Sequence, residues 1–364
     1  MKIIYLALVE LEVYNAPRTH TIEVCENLTK LGHDVLLLVP RPWKKRQKFC
    51  FKVSHVPFLG WGSLLELLYN IILCFYLIYY IFKFKPDVVY ERMLHNPLCL
   101  IITKIFKLKH FLEINGPPFK QGKWVKNSFA KIEIKKTDGI IVPSPKLKNL
   151  ILREIELSRD KINFIPNGVD PHIFYPSDKL KAREEIGLSR DNFYLGYTGG
   201  IYFAYDFDFV FKVIDGIKKD MEDMKLLIVS HNIKDNYPEN VVFIKNVTHD
   251  KIPRYINSFD ITILPLNKEG IETQDFIASI KFFEYIACGK VVLVPNLNDE
   301  DIPELLRDFL VFYRYGDEED FINKVKNLYY NREKLIKTKE QVQSFIKEYS
   351  WEETTKKVIE FIKS

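Results

Sequence analysis

From Lys2 onward the chain alternates short, nearly continuous apolar runs with amphipathic ones, and it does this twice over. Lys2–Glu10 (KIIYLALVE) reads as a buried strand. A loop, Leu11–Arg18, leads to an amphipathic run from Thr19 to Leu31, which Gly32 caps, and His33–Pro40 is a second strand. Strand, loop, helix and strand of this length make a βαβ unit, and that dictates a parallel sheet with right-handed crossovers. Strands at Lys52–Leu59, Asp87–Arg92, Phe111–Asn115, Gly139–Ser144 and Ile162–Pro166 continue the series, with a helix opening at Ser144-Pro145.

Val169–Ser177 is a proline-bearing connector, after which the alternation starts again. Phe193–Gly200 (FYLGYTGG) runs into two glycines; helix Phe207–Asp220 follows, then strands Lys225–Ser230, Val241–Lys245, Ile261–Leu266 and Phe309–Tyr313. Helical runs Glu318–Tyr329, Arg332–Tyr349 and Trp351–Ile362 close the chain. Two such series specify an α/β protein of two Rossmann-like, doubly wound domains facing a cleft. A length of 364 residues agrees, since single cores stop growing beyond about 250–300 residues. The expected division is 1–170, 171–345 and a terminal helical segment, 346–364.

Charge and cysteine usage narrow the chemistry. Lysines and arginines number 53 against 48 aspartates and glutamates, a net +5. That excess is too small to argue for nucleic acid, so no nucleic-acid partner is expected, and it is compatible with an anionic substrate or lipid surface. The five cysteines are scattered, without a Cys-x-x-Cys pair or Cys/His cluster, so neither a disulfide framework nor a metal site is expected. The chain enters a strand at once, without a signal-peptide layout, and a cytoplasmic setting follows as the expectation.

The densest chemical stretch is Ser279–Val294 (SIKFFEYIACGKVVLV), a short helix, a glycine stop and a buried strand. Lys281 and Glu284 are three apart and share a helix face. A helix N-terminus favours phosphate, Lys281 adds a full charge, and Glu284 accepts hydrogen bonds from vicinal hydroxyls such as those of a ribose. The bland alternative is a solvated ion pair on an amphipathic helix. In the first series, Asn15, Arg18, Thr19 and His20 follow the first strand, where sheets of this class bind ligands; the alternative is that Asn15 or Thr19 caps the helix.

Leu64–Phe82 is an apolar run of 19 residues interrupted only by Glu66 and Asn70. Its length borders on a membrane span. A span would tear its flanking strands out of one sheet, so a buried or interfacial helix is expected. Beside the basic loop Arg41–Lys52, it suits docking on an anionic membrane surface, with a solvated charged loop as the plain alternative.

The order and spacing of Leu31-Gly32-His33-Asp34-Val35, Thr137–Ser144 (TDGIIVPS), Lys161–Pro176 (KINFIPNGVDPHIFYP) and Lys281–Val292 (KFFEYIACGKVV) resemble family 4 of the retaining glycosyltransferases, over nearly the whole chain. The resemblance implies a GT-B fold, an acceptor-binding N-terminal domain, a nucleotide-sugar-binding C-terminal domain and a last helix crossing back. It implies transfer from a nucleoside-diphosphate sugar to a glycan or lipid-linked acceptor, with retention, no metal and no cofactor beyond the donor. Glu284 would hold the ribose, and Ser279 and Lys281 would lie by the diphosphate and sugar. Gly199 and Gly200 would form the donor phosphate loop, and His20, Glu113 and Asn115 would occupy the catalytic side.

Departures are specific. Phe276 stands where the family has a glutamate eight positions before Glu284, with Glu272 or Asp275 as nearby substitutes. Asn15-Ala16-Pro17 replaces a Gly-Gly loop, and the usual clamp arginine after the second domain's first strand is missing, which shifts phosphate neutralisation toward Lys281, backbone N–H groups and Arg18. The enzymatic expectation therefore stands beside an alternative, a non-catalytic GT-B member acting as a nucleotide-sugar-binding or scaffold subunit.

Overall fold

The computed structural model describes all of the chain except residues 14, 42–47, 59, 61–62, 93–95, 119–123, 218–219, 233–236, 246, 274–275 and 297–302. Asp275 and most of the basic loop lie outside the described residues.

The chain divides into two compact units, Met1–Pro166 with Trp351–Ser364, and Asn167–Ser350. The break falls at Pro166 rather than after residue 170, and the returning segment starts at Trp351 rather than at 346. The reason is local: Val169 pairs with Ser350, and the Val169 N–H donates to the Tyr349 carbonyl at 2.9 Å, which joins the first and last segments of the second unit to each other.

Unit 1 contains β1 (Lys2–Ala7), α1 (Ala16–Lys30), β2 (Asp34–Pro40), β3 (Lys52–Val56), α2 (Ser63–Phe84), β4 (Val88–Arg92), α3 (Pro97–Ile105), β5 (Lys109–Glu113), α4 (Trp124–Lys136), β6 (Gly139–Val142), α5 (Pro145–Glu154) and β7 (Ile162–Phe164). Its seven strands are parallel, in the order β3-β2-β1-β4-β5-β6-β7. Strand order reverses between β1 and β4, and a sheet of this class opens a crevice at the carboxyl ends of such a pair. The α2 helix buries Tyr69, Leu73, Leu77 and Ile81 against Leu6, Leu36, Leu38 and Val56. Each fully buried leucine there contributes about 1.5–3 kcal/mol.

Unit 2 contains α6 (Lys179–Glu185), β8 (Phe193–Thr198), α7 (Phe207–Ile217), β9 (Met224–Val229), β10 (Val241–Ile244), α8 (Ile252–Ser258), β11 (Ile261–Ile263), α9 (Lys268–Thr273), α10 (Ile280–Ala287), β12 (Val292–Asn296), α11 (Glu304–Arg307), β13 (Leu310–Arg314), α12 (Glu318–Tyr330) and α13 (Lys339–Tyr349). The final helix, α14 (Trp351–Lys363), belongs to unit 1. Six parallel strands run β10-β9-β8-β11-β12-β13, with the reversal between β8 and β11. Buried Asp260 staples the start of this sheet: it accepts from the Tyr194 N–H at 2.7 Å and from Arg183 at 2.5 Å.

Three sequence expectations need correction. The α1 helix begins at Ala16, not Thr19, because Asn15 caps it and Pro17 sits in its first turn. The first strand stops at Ala7. The run Arg332–Tyr349 is not one helix. A 3-10 turn covers Arg332–Leu335, and a capping box of Thr338 and Gln341 starts α13 afresh.

Candidate active site

In unit 1 the reversal point gathers a buried polar cluster around Glu113. Register sets Arg92 beside both Ala7 and Glu113, and Tyr5 beside Tyr90. Alternation along the strands then sends Tyr5, Tyr90, Arg92 and Glu113 to one face. The Glu113 carboxylate accepts from Tyr90 Oη at 2.7 Å and Tyr5 Oη at 3.2 Å. Its other oxygen lies 3.3 Å from His20 Nε2 and 3.3 Å from Arg92 Nε, and accepts from Asn115 Nδ2. The structure thus brings His20, Glu113 and Asn115 together and adds Arg92 and two tyrosines.

Burial works to raise the Glu113 carboxyl, but His20, Arg92, Asn115 and Tyr90 together hold it below its ordinary value. Burial lowers the His20 imidazole to about 4, with Glu113 pulling the other way, so at neutral pH the ring is uncharged. Since Glu113 is an acceptor, the ring nitrogen facing it carries the proton, and Nδ1 keeps its lone pair. That atom is buried and has no hydrogen-bond partner among the described residues. The Trp351 ring of α14 meets the imidazole edge to face at 5.1 Å between centroids. Burial, then Glu113, push Tyr5 and Tyr90 well up, which keeps both as donors.

The other first-loop residues are committed locally. The Asn15 side chain accepts from the Arg18 N–H at 2.9 Å, and Arg18 Nε donates to the Leu11 carbonyl at 2.7 Å. Thr19 lies half-buried in the first turn of α1, its N–H on the Asn15 carbonyl. The helix-cap reading of this stretch describes Asn15.

In unit 2 the carboxyl end of β8 and the start of α10 build the second cluster. Gly199 has φ +117°, and a Cβ there would stand 2.0 Å from Lys281 Cε; the lysine runs directly over the glycine. Its ammonium lies over the rings of Tyr205 and Tyr197, at 5.3 and 5.7 Å from their centroids. The Tyr197 hydroxyl donates to the Gly200 carbonyl at 2.7 Å. The Thr198 N–H donates to the Tyr285 hydroxyl at 2.8 Å, which ties the end of β8 to α10. Asn232 grips Ile201 by both its N–H (2.9 Å) and its carbonyl (2.6 Å), so the loop after the glycines is held like a strand edge.

Ser279 is the first residue before α10 and makes no side-chain cap bond among the described residues. Glu284, buried, lies 3.4 Å from His249 Nε2, and Phe174 packs on that imidazole. His249 was not legible as a site residue. Phe276 stands in the place of the family glutamate with a buried ring against Phe282 and Phe312. Glu272 is exposed and lies 3.9 Å from Lys268. Among the described residues, no three His, Cys, Asp or Glu side chains converge as a metal-ligand set.

Residues 18–173 match the family described as Glycosyltransferase Family 4, and residues 192–331 match Glycosyl transferases group 1. The chain is 26% identical over 198 residues to the teichuronic acid biosynthesis glycosyltransferase TuaH of Bacillus subtilis, a match covering 52% of this chain and 48% of that protein. It therefore spans about half the length of that curated relative. Among solved structures, sucrose-phosphate synthase from Thermosynechococcus elongatus superposes with a TM-score of 0.80 at 12% identity, covering 100% of this chain and 98% of the other. HepE of Anabaena, solved with UDP-glucose, gives 0.73 at 13% identity, covering 100% and 99%. These likenesses show a GT-B fold carried by both units. With both halves of the sequence matched in order, the chain belongs to the family 4, group 1 glycosyltransferases.

Proposed function

We propose that this glycosyltransferase takes its sugar from a nucleoside-diphosphate sugar and transfers it, with retention, to a hydroxyl of a lipid-linked or cell-surface glycan precursor at the inner face of the cell membrane. Unit 2 holds the donor and unit 1 the acceptor. The observation that carries this reading is the meeting of Lys281 with Gly199, with Glu284 one turn further along α10. The glycine lets the lysine chain pass close over the backbone, the ammonium it delivers neutralises a diphosphate, and the carboxylate accepts from ribose hydroxyls. The UDP-glucose bound by HepE supports the donor class.

The barrier lies in breaking the bond from the anomeric carbon to the diphosphate oxygen. The electron pair departs with the diphosphate, where Lys281 and the α10 N-terminus stabilise it in place of a metal. The acceptor oxygen then bonds to the anomeric carbon from the face the diphosphate leaves, and its proton passes to the departing phosphate. Turnover unchanged by a chelator is the expected result.

Titration of UDP, GDP, ADP and dTDP into wild type and Glu284→Ala by calorimetry tests the donor site. One nucleotide should bind selectively and lose about tenfold in affinity, or about 1.4 kcal/mol, in the variant. The buried Phe276 favours a second reading, a non-catalytic nucleotide-sugar-binding subunit. Slow hydrolysis of the donor without acceptor would exclude it.

A further inference from the structure

The helices α3 and α4 each connect a strand to its next neighbour, and α2 carries the chain from β3 past β2 and β1 to β4; all three crossovers run in the same direction across the sheet of unit 1. Right-handed crossovers therefore set all three on one face of that sheet. Their inward sides are buried; among the described residues, nothing covers their outward sides. Along α2, Leu64 is 69%, Phe75 68% and Phe82 65% exposed, and on α3 Ile105 is 69% exposed. Ile101 on α3 and Phe129 and Ile132 on α4 extend the same surface. The Phe82 and Phe106 rings meet at 5.3 Å between centroids, so the α2 and α3 portions touch. Of the most apolar 18-residue window in α2, only 28% is buried. Exposed apolar area of this kind marks an interaction surface.

Charge decides what covers it. The segments of unit 1 carry 29 lysines and arginines against 17 aspartates and glutamates, a net +12, whereas unit 2 carries 24 against 31, a net −7. The modest +5 of the whole chain conceals this asymmetry. Lysines edge the apolar face: Lys83 donates to the Tyr79 hydroxyl at 2.9 Å and lies over its ring, Lys107, Lys131 and Lys135 sit on or beside α3 and α4, and Lys104 on α3 is paired with Asp138 at 2.6 Å. Two copies meeting through this face would bring two strongly cationic units together. An apolar ridge with a lysine rim fits the headgroup boundary of an anionic bilayer, where apolar tips enter and ammonium groups remain at the phosphates.

Although long enough to cross a bilayer, α2 does not do so. Its inner side is part of the unit 1 core, and β3 and β4 on either side of it lie in one sheet.

We infer that the outward face of α2, α3 and α4 docks unit 1 in the plane of an anionic membrane. This deepens the proposed function by naming the surface through which a lipid-linked acceptor is reached, and it is tested without turnover.

The full chain is floated with vesicles of phosphatidylcholine alone and with about one third phosphatidylglycerol, at low and high salt. Wild type should float with the anionic vesicles and largely lose them at high salt. Phe75→Glu with Ile101→Glu should reduce flotation by about tenfold or more, with thermal melting and nucleotide binding unchanged. Failure of wild type to float, or equal flotation of the double variant, overturns the inference. So does a wild-type dimer that the double variant converts to monomer, with no vesicle binding, because the face then receives a second copy. Flotation reads docking alone and nucleotide titration reads the donor site alone, so either can fail without the other.

Discussion

Lys281 lies so closely over Gly199 that any side chain at 199 would occupy the position of its Cε. Gly199→Ala therefore forces two changes, a left-handed backbone with a Cβ and a displaced ammonium. The first costs about 1 kcal/mol. The second should weaken binding of the nucleoside diphosphate about tenfold or more, read by calorimetry, with the far-ultraviolet spectrum unchanged.

Glu113 is the shared acceptor of the unit 1 cluster, and removing its charge deprives the largely shielded Arg92 of its carboxylate partner. Glu113→Gln is expected to destabilise the protein by about 3 kcal/mol in denaturant unfolding. Adding Arg92→Met should recover part of that loss; strict additivity of the two would mean that they do not interact.

Acid should weaken unit 1 in a defined window. Burial lowers His20 and His110 each to about 4 from 6.5, and Glu113 is held below 4.5. For all three, the unfolded chain binds protons that the folded one refuses, so stability rises with pH. The histidine contribution is fully present above pH 6.5 and is lost as pH falls toward 4; the Glu113 contribution goes below 4.5. Each imidazole adds at most about 3 kcal/mol to this loss. Melting temperatures from pH 7 to 4 should fall, and His20→Gln should flatten the slope.

His249 stands 3.4 Å from the Glu284 carboxylate and is wedged against Phe174. As a positioning residue it should matter only through Glu284. His249→Ala is expected to cost about threefold to tenfold in nucleotide affinity in the wild-type background and almost nothing in Glu284→Ala. Equal losses in both backgrounds would point to direct contact with the nucleotide instead.

The two parallel sheets were legible because apolar runs, helical periods and glycine stops repeat along the chain, and each strand carries its own signal. The Lys281–Glu284 face was legible for the same reason, as a helix brings residues three apart together. Arg92, Tyr5 and Tyr90 were not. They are ordinary strand residues until the order β1-β4-β5 and its register place them beside Glu113. His249 joins Glu284 across 35 positions of sequence, through a turn before α8 that no periodicity announces. The short helices α6, α8, α9 and α11, of 4–7 residues, carry too few turns to show a pattern. The outward apolar face of α2 was visible as hydrophobicity, but which side of the helix faces the core depends on the sheet beneath it.

The Trp351–His20 contact carries a consequence for biosynthesis. The last helix completes a unit whose other residues are all made before Asn167. While the chain grows on a ribosome, His20 therefore waits without its aromatic lid until the residues from Trp351 onward have been made. Unit 2, contiguous from Asn167 to Ser350, has all of its own residues before the final helix is synthesised. The half that starts first is sealed last.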